Sequence, residues 1–231
     1  MGETSGLRLA PSALVKERRL QSLLQGTAET EPRLVRAVTD AQILGSLELA
    51  GLAVTWDEVR EDALPAVRAL RKARAAAAPG RPLDRALLLA WNEALAERPA
   101  GFRRAPRARE GAVPAPPEFV ESRLAVLEQW LTSEGGQTLK PLAQAALALA
   151  RIVEILPFDD GNGRISRLAA SHLMVSGGLR PPILVGGDGP RLRAALEAAF
   201  RFETEPLGRL LEEASGRCLD VMIQTIEPRV P

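Results

Sequence analysis

The chain has 231 residues, of which 46% are hydrophobic and 26% charged, with a net charge of +1. That length buries a real core in one domain with an N-terminal helical extension, and the near-zero charge gives no global pull toward nucleic acid or an anionic membrane. One cysteine, Cys218, excludes an intrachain disulfide and a cysteine-cluster metal site, and no apolar run reaches the length of a membrane span, so a reduced, cytoplasmic setting is expected.

Richness in Ala, Leu and Arg and the absence of Tyr favour helices, and the expected fold class is all-α. Residues 1–11 read as loose. Ser12 is placed to cap a helix to about Leu24, which Gly26 ends. A second helix opens at Thr30-Glu31-Pro32, with proline where its missing N–H costs little, and runs toward Ala50 and Gly51. Thr55 to Glu58 form a capping box for a helix through about Ala77 that Pro65 kinks, and Gly80-Arg81-Pro82 make a turn. These define an N-terminal extension, 1–80, ahead of a core domain, 81–231. In the core, Asp84 caps a helix that buries Leu87, Leu88, Trp91 and Leu95.

Residues 98–117 change character, with prolines that forbid a helix and five arginines. The segment reads as a loop or short hairpin. Pro117 leads into a helix from about 118 to 131 with Val120, Leu124, Leu127 and Leu131 as its buried stripe, closed by Gly135-Gly136. The helix from about Leu139 to Ile155 is apolar on most faces and belongs at the centre of the domain. After the stretch 156–167, a helix runs to about Ser176. An irregular segment from Pro181 to Pro190 precedes two last helices, at about 190–203 and 206–226.

The chemistry concentrates in Leu156-Pro157-Phe158-Asp159-Asp160-Gly161-Asn162-Gly163-Arg164-Ile165-Ser166-Arg167. Gly161 and Gly163 let the backbone turn tightly and bring its N–H groups to a ligand. A helix starting near Asn162 adds unpaired donors and a partial positive charge, which favour an anion. Arg164 and Arg167, three residues apart, leave one face of that helix. Together these describe a polyphosphate cradle. Asp160 beside it is the kind of oxygen ligand that Mg²⁺ takes when it rides on substrate phosphates.

This stretch resembles the signature of Fic (Fido) domains, His-x-Phe-x-(Asp or Glu)-Gly-Asn-Gly-Arg-x-x-Arg. Phe158, Asp160, Gly161, Asn162, Gly163, Arg164 and Arg167 match it; Leu156 stands where the family has histidine. The resemblance implies a mainly α Fic-like domain and transfer of AMP from ATP to a protein hydroxyl, with that histidine as general base. It implies Mg²⁺ on Asp160, phosphates on Asn162 and the loop N–H groups of Gly161 and Gly163, and outer phosphates on Arg164 and Arg167. A leucine cannot accept a proton, so activity is expected to be weak or absent.

A second resemblance lies at the end of the second helix, where many Fic proteins carry an inhibitory pattern, (Ser or Thr)-x-x-x-Glu-(Gly or Asn). Ser46 and Gly51 are in register, but the glutamate that would pair with Arg167 is Ala50. Glu48 lies two residues away, about 200° around a helix, and should face elsewhere. By the same resemblance, residues 98–113 are a β-hairpin flap over the site, with Phe102, Arg103 and Arg104 as target-contacting residues. His172, the one histidine, lies roughly 12 Å along the helix axis from Arg164 and is read as packing rather than as a relocated base. Three readings stand: a degenerate Fic protein that keeps a Mg²⁺–ATP cradle, a non-catalytic module that holds a protein partner, and an active transferase with another base.

Overall fold

The computed structural model describes residues 11–24, 31–77, 80–96, 99, 101–108 and 113–227. The expectations for residues 1–10, Gly26, Thr30, Arg98 and Arg109 lie outside these. Among the described residues the chain is built of helices and holds no strand. The helices are α1 (Pro11–Leu24), α2 (Pro32–Glu48), α3 (Trp56–Arg60), α4 (Pro65–Ala75), α5 (Arg85–Ala96), α6 (Val120–Thr132), α7 (Glu134–Thr138), α8 (Pro141–Ile155), α9 (Asn162–Ser176), α10 (Gly189–Phe200) and α11 (Glu205–Ile226). Short 3₁₀ turns at Pro117–Phe119 and Gly186–Asp188 lead into α6 and α10. None of the helices is long and apolar enough to cross a membrane.

The α8 helix occupies the centre because its sequence leaves it no solvent face of any width. Ala148, Ile152 and Ile155 pack with Leu47, Leu87, Trp91, Leu124 and Ile165 in one core, which joins α2, α5, α6 and α9. Ala145, Ala146, Leu149 and Val153, on its other side, pack with Leu196, Leu207 and Leu211 of α10 and α11. A third cluster joins α1 and α2 to α11 through Leu20, Leu34 and Leu219. Each fully buried leucine contributes about 1.5–3 kcal/mol, so α8 is held from both sides. Residues on both sides of the expected 80/81 division share the first core, where Ile43, Val67 and Leu70 meet Leu87 and Trp91.

Two helical elements differ from the sequence expectation. The helix expected over 55–77 is two helices, and Pro65 starts the second rather than kinking a continuous one. The Thr55–Glu58 capping box is present, but the chain turns back at Asp62, whose φ is +53°. Arg71 fixes this turn, donating from Nε to Asp62 Oδ1 at 2.7 Å and from Nη2 to the buried Asp40 at 2.9 Å. Proline lacks the N–H that a helix interior needs but suits a first turn, which is the position Pro65 takes. The second difference is Gly135-Gly136, expected to end a helix and found inside α7. Ser133 caps this short helix by accepting the Gly136 N–H at 3.1 Å, and a Cβ on Gly136 would stand 2.0 Å from Trp130 O.

The α2 helix approaches the body of the protein at Gly45. A Cβ there would stand 1.7 Å from the Leu184 carbonyl oxygen, so only glycine permits this distance. The contact seats the C-terminal end of α2 against the segment that follows α9.

Candidate functional site

The α8 helix ends at Leu156, which takes a left-handed conformation with φ 49° and ψ 63°. A leucine there is uncommon and strained, and the conformation turns the chain sharply out of the core. Phe158 points back inward, fully buried, and stacks on Phe102 with ring centroids 5.6 Å apart. Asn162 closes the loop. Its Oδ1 accepts the Phe158 N–H at 2.9 Å and its Nδ2 donates to the Phe158 carbonyl at 2.7 Å. This side chain is therefore an internal clamp, and both of its polar atoms are engaged by the loop itself.

Gly161 caps α9 with φ +81°, a conformation that glycine takes without cost. The first intrahelical bond at this end runs from the Ile165 N–H to Gly161 O at 2.9 Å. The N–H groups of Asn162, Gly163 and Arg164 thus precede the hydrogen-bonded ladder, at the positive end of a 15-residue helix. Arg164 Nη2 lies 2.8 Å from Asp160 Oδ2, in an ion pair whose acid is 85% exposed and whose guanidinium is largely covered.

Arg167 reaches from the same face of α9 toward α2. Its Nε donates to Ser46 Oγ at 3.1 Å and its Nη2 to the Ser46 carbonyl at 2.8 Å. Both acceptors are neutral. Burial, and secondarily the charge of Arg164, push the Arg167 guanidinium down to about 10 from its ordinary 12.5. Ala50 is exposed and lines the same cavity as Arg167. Glu48 faces elsewhere, as its rotation along the helix predicts: its Oε2 accepts the Gly186 N–H at 2.9 Å.

The segment over the loop is not a hairpin among the described residues: 101–108 and 113–116 carry no strand. Pro106, Pro114 and Pro116 cannot donate to a ladder, and a side chain holds the segment instead. Arg103 is only 2% exposed. Its backbone N–H donates to Pro157 O at 2.9 Å, and its guanidinium donates to the carbonyls of Leu156, Ala105, Ile155 and Ala115. Phe102, stacked on Phe158, is likewise turned inward. Arg104 and Arg107 are exposed, and Arg107 reaches the loop, donating to the Asp159 carbonyl and standing 3.9 Å from its carboxylate.

These elements enclose a cavity of about 400 Å³. Its floor is Gly161, Asn162, Gly163 and Arg164, and its walls include Leu49, Ala50, Leu52, Leu156, Arg107 and Arg167. The structure therefore gathers the glycine loop, both signature arginines, Asp160 and the two departures, Leu156 and Ala50, around one space. It leaves Arg103, Phe102 and Ser46 behind that surface, as supports. The sequence reading missed Arg107 and the leucines of α2's end, because nothing in a run of loop arginines tells which one the backbone will carry over the cavity. His172 lies apart, hydrogen-bonded through Nε2 to Arg81 O at 2.7 Å and edge-on to Trp91.

Among the described residues no cluster of three or more potential metal ligands occurs. An exposed carboxylate beside a phosphate-sized cavity fits a hard cation that brings the rest of its ligands as phosphate oxygens and water, as Mg²⁺ does. Asp160 is that carboxylate, with one oxygen on Arg164 and the other free of an ion pair.

Residues 82–174 match the family model described as Fic/DOC family. Residues 82–174, with the signature stretch among them, thus carry a Fic domain, and the fold is the one that Fic-domain structures share. Protein adenylyltransferase Fic of Drosophila sechellia is 33% identical over 113 residues, a match that covers 49% of this chain and 23% of the relative. The same-named protein of Drosophila grimshawi is 33% identical over 122 residues, covering 53% and 25%. The matches thus span about a quarter of the length of these curated relatives. A Fic domain containing signaling protein from Bacteroides thetaiotaomicron shares the fold at a TM-score of 0.76 and 19% identity, over 93% of this chain and 97% of that one. IbpAFic2 in complex with adenylylated Cdc42 shares it at 0.57 and 18% identity, over 88% and 70%.

Proposed function

We propose that this chain is a degenerate Fic protein that keeps a Mg²⁺–nucleotide cradle and has little or no AMP-transferase activity. The observation that carries the reading is the composition of one cavity, whose lining joins the glycine loop, the helix start and two arginines with Leu156 and Ala50. The nucleotide's phosphates would take the free N–H groups of Asn162, Gly163 and Arg164, with Arg164 and Arg167 neutralising the outer oxygens. Mg²⁺ would sit on Asp160 and the phosphates, and its contribution when bound is charge neutralisation.

The reaction of the named relatives, adenylyl transfer, moves a proton from the attacking hydroxyl. A leucine at the turn out of α8 offers no lone pair for that proton, and loss of a positioned base costs on the order of 10²–10⁴ in rate. Asp159 is an exposed carboxylate beside Arg107 and a poor substitute. The missing glutamate at position 50 accords with this, since Arg167 is left with neutral partners and stays available to an anion.

Calorimetric titration with Mg²⁺–ATP, beside an Arg164→Ala variant, tests the reading. Binding is expected in the parent protein and at least tenfold weaker in the variant. Equal affinity in both would overturn the cradle.

A second reading, a non-catalytic module that holds a protein partner, is favoured by the exposed Arg104 and Arg107 beside the cavity. The IbpAFic2 complex with adenylylated Cdc42 is the parallel for a protein target on this fold. In that case nucleotide affinity is absent and an acidic partner is lost on neutralising Arg104 and Arg107. The third reading, a transferase with another base, predicts slow labelling of a lysate by labelled ATP.

A further inference from the structure

A second cavity, of about 120 Å³, lies among α4, α5 and α9 and shares no lining residue with the phosphate-loop cavity. Arg74, in the last turn of α4, lines it beside Trp91, Ser171 and His172, with Leu168 and Val175 as apolar wall. Val175 is 53% exposed, so the mouth is at that residue.

Two of the donors here lack acceptors among the described residues, although His172, its Nε2 on the Arg81 carbonyl, adds an acceptor nitrogen to the wall. Arg74 has no hydrogen bond or ion pair among the described residues. Burial lowers its guanidinium to about 10, an effect that outweighs the opposing influence of Cys218. Trp91 is fully buried, and its Nε1–H has no partner among the described residues. Ser171 Oγ accepts from Gln42 Nε2 at 3.2 Å, which leaves the hydroxyl proton free to donate. A desolvated cation and an unpaired indole N–H in one wall each cost free energy unless an acceptor reaches them. An adjoining space of about 30 Å³ shares Arg74, Leu168 and Ser171 and holds the unpaired acceptor Gln42 Oε1, which suits a water.

We propose that the larger cavity binds a small monovalent anion, the size of a halide or a two- to three-carbon carboxylate, held by the Arg74 guanidinium, the Trp91 Nε1–H and the Ser171 hydroxyl. An acceptor-only ion satisfies all three donors at once. Nucleotides are excluded by size, since drug-sized ligands need about 300 Å³ or more. Because its donors come from α4, α5 and α9, the bound ion braces the helix that carries Arg164 and Arg167 against its neighbours.

The test is thermal unfolding of the full chain in sodium chloride, sodium acetate and sodium gluconate at equal ionic strength, gluconate being too large to enter. The melting temperature is expected to rise saturably with chloride or acetate and not with gluconate. A rise with chloride alone assigns a halide, and one with acetate alone a short carboxylate. Trp91→Phe, which keeps the ring and removes the donor, should weaken the apparent affinity about tenfold, and Arg74→Met should abolish the rise. A bromide-soaked crystal gives a second readout, an anomalous peak beside Arg74. No saturable rise in the parent protein and no bromide peak would mean that water alone fills the cavity, and an unchanged rise in Arg74→Met would place the ion elsewhere; either result overturns the proposal. Mg²⁺–ATP titration of Arg74→Met separates this site from the cradle, whose affinity it should leave within about twofold.

Discussion

Replacing Ala50 with glutamate tests the electrostatics of the site directly. Arg167 donates to two neutral oxygens of Ser46, and burial brings its pKa from 12.5 to about 10. At about 1.4 kcal/mol per unit, that fall represents roughly 3 kcal/mol of uncompensated desolvation. A carboxylate entering the same cavity from the exposed position 50 would recover part of it, about 1–2 kcal/mol after its own ordering cost. For a chain of this size that raises the melting temperature by roughly 2–8 °C. Because the folded pKa of Arg167 lies below the unfolded value, the unfolded chain binds the proton more tightly. The cost is fully present at pH 7 and is relieved only as pH rises above about 10. The gain in Ala50→Glu should therefore be flat from about pH 6 to 9 and fade only where the new carboxyl protonates, near pH 4. Scanning calorimetry measures it, and Mg²⁺–ATP titration should show at least tenfold weaker binding as the new acid competes for Arg167. An unchanged melting temperature together with unchanged affinity would refute the account of Arg167 as an uncompensated cation.

Four further outcomes are expected. Leu156→His should raise labelling by ATP about 10²–10⁴-fold over the parent, and should fold well, because histidine tolerates left-handed backbone better than leucine does; no gain despite retained nucleotide binding would place the deficit outside position 156. Asn162→Ala removes both hydrogen bonds to the Phe158 backbone and should cost about 2 kcal/mol, with faster hydrogen exchange over 156–161. Arg103→Ala leaves four carbonyls without their donor and should cost about 3–5 kcal/mol, which Arg103→Lys does not restore for want of the planar fork. Gly45→Ala should cost about 3 kcal/mol or more in chemical denaturation, since the added carbon would stand 1.7 Å from Leu184 O.

Local chemistry was legible in the sequence where the signal is itself local. The Thr55–Glu58 box, Pro32 at a helix start, the apolar periodicity of α6 and the unbroken apolar run of α8 each specify a helix without reference to anything distant. The signature stretch was legible for the same reason. What escaped was set by contacts across the fold. Whether Pro65 kinks a helix or begins one depends on Arg71 holding Asp62 and Asp40, which lie 9 and 31 residues away along the chain. Arg103 read as a surface cation because arginines in proline-rich loops usually are. Its burial is decided by the carbonyls of residues 155 and 156, which no periodicity announces.

Those carbonyls tie the segment over the cavity to its floor. The Arg103 guanidinium holds the end of α8 and the Leu156 carbonyl, its N–H holds Pro157, and Phe102 beside it stacks on Phe158. Two neighbouring residues of one loop thus fix four consecutive residues of another, and Asn162 fixes the same loop from α9. The left-handed turn at Leu156 is over-determined by these bonds, which is why it persists with a leucine whose side chain contributes no hydrogen bond of its own. It follows that a substitution at position 156 changes the chemistry offered to the cavity without changing its shape. The phosphate side, built from backbone N–H groups and arginines of α9, is equally independent of that side chain. A site assembled this way can lose a base without losing a cradle, and that separation is what makes the proposed nucleotide-binding protein without transferase activity physically coherent.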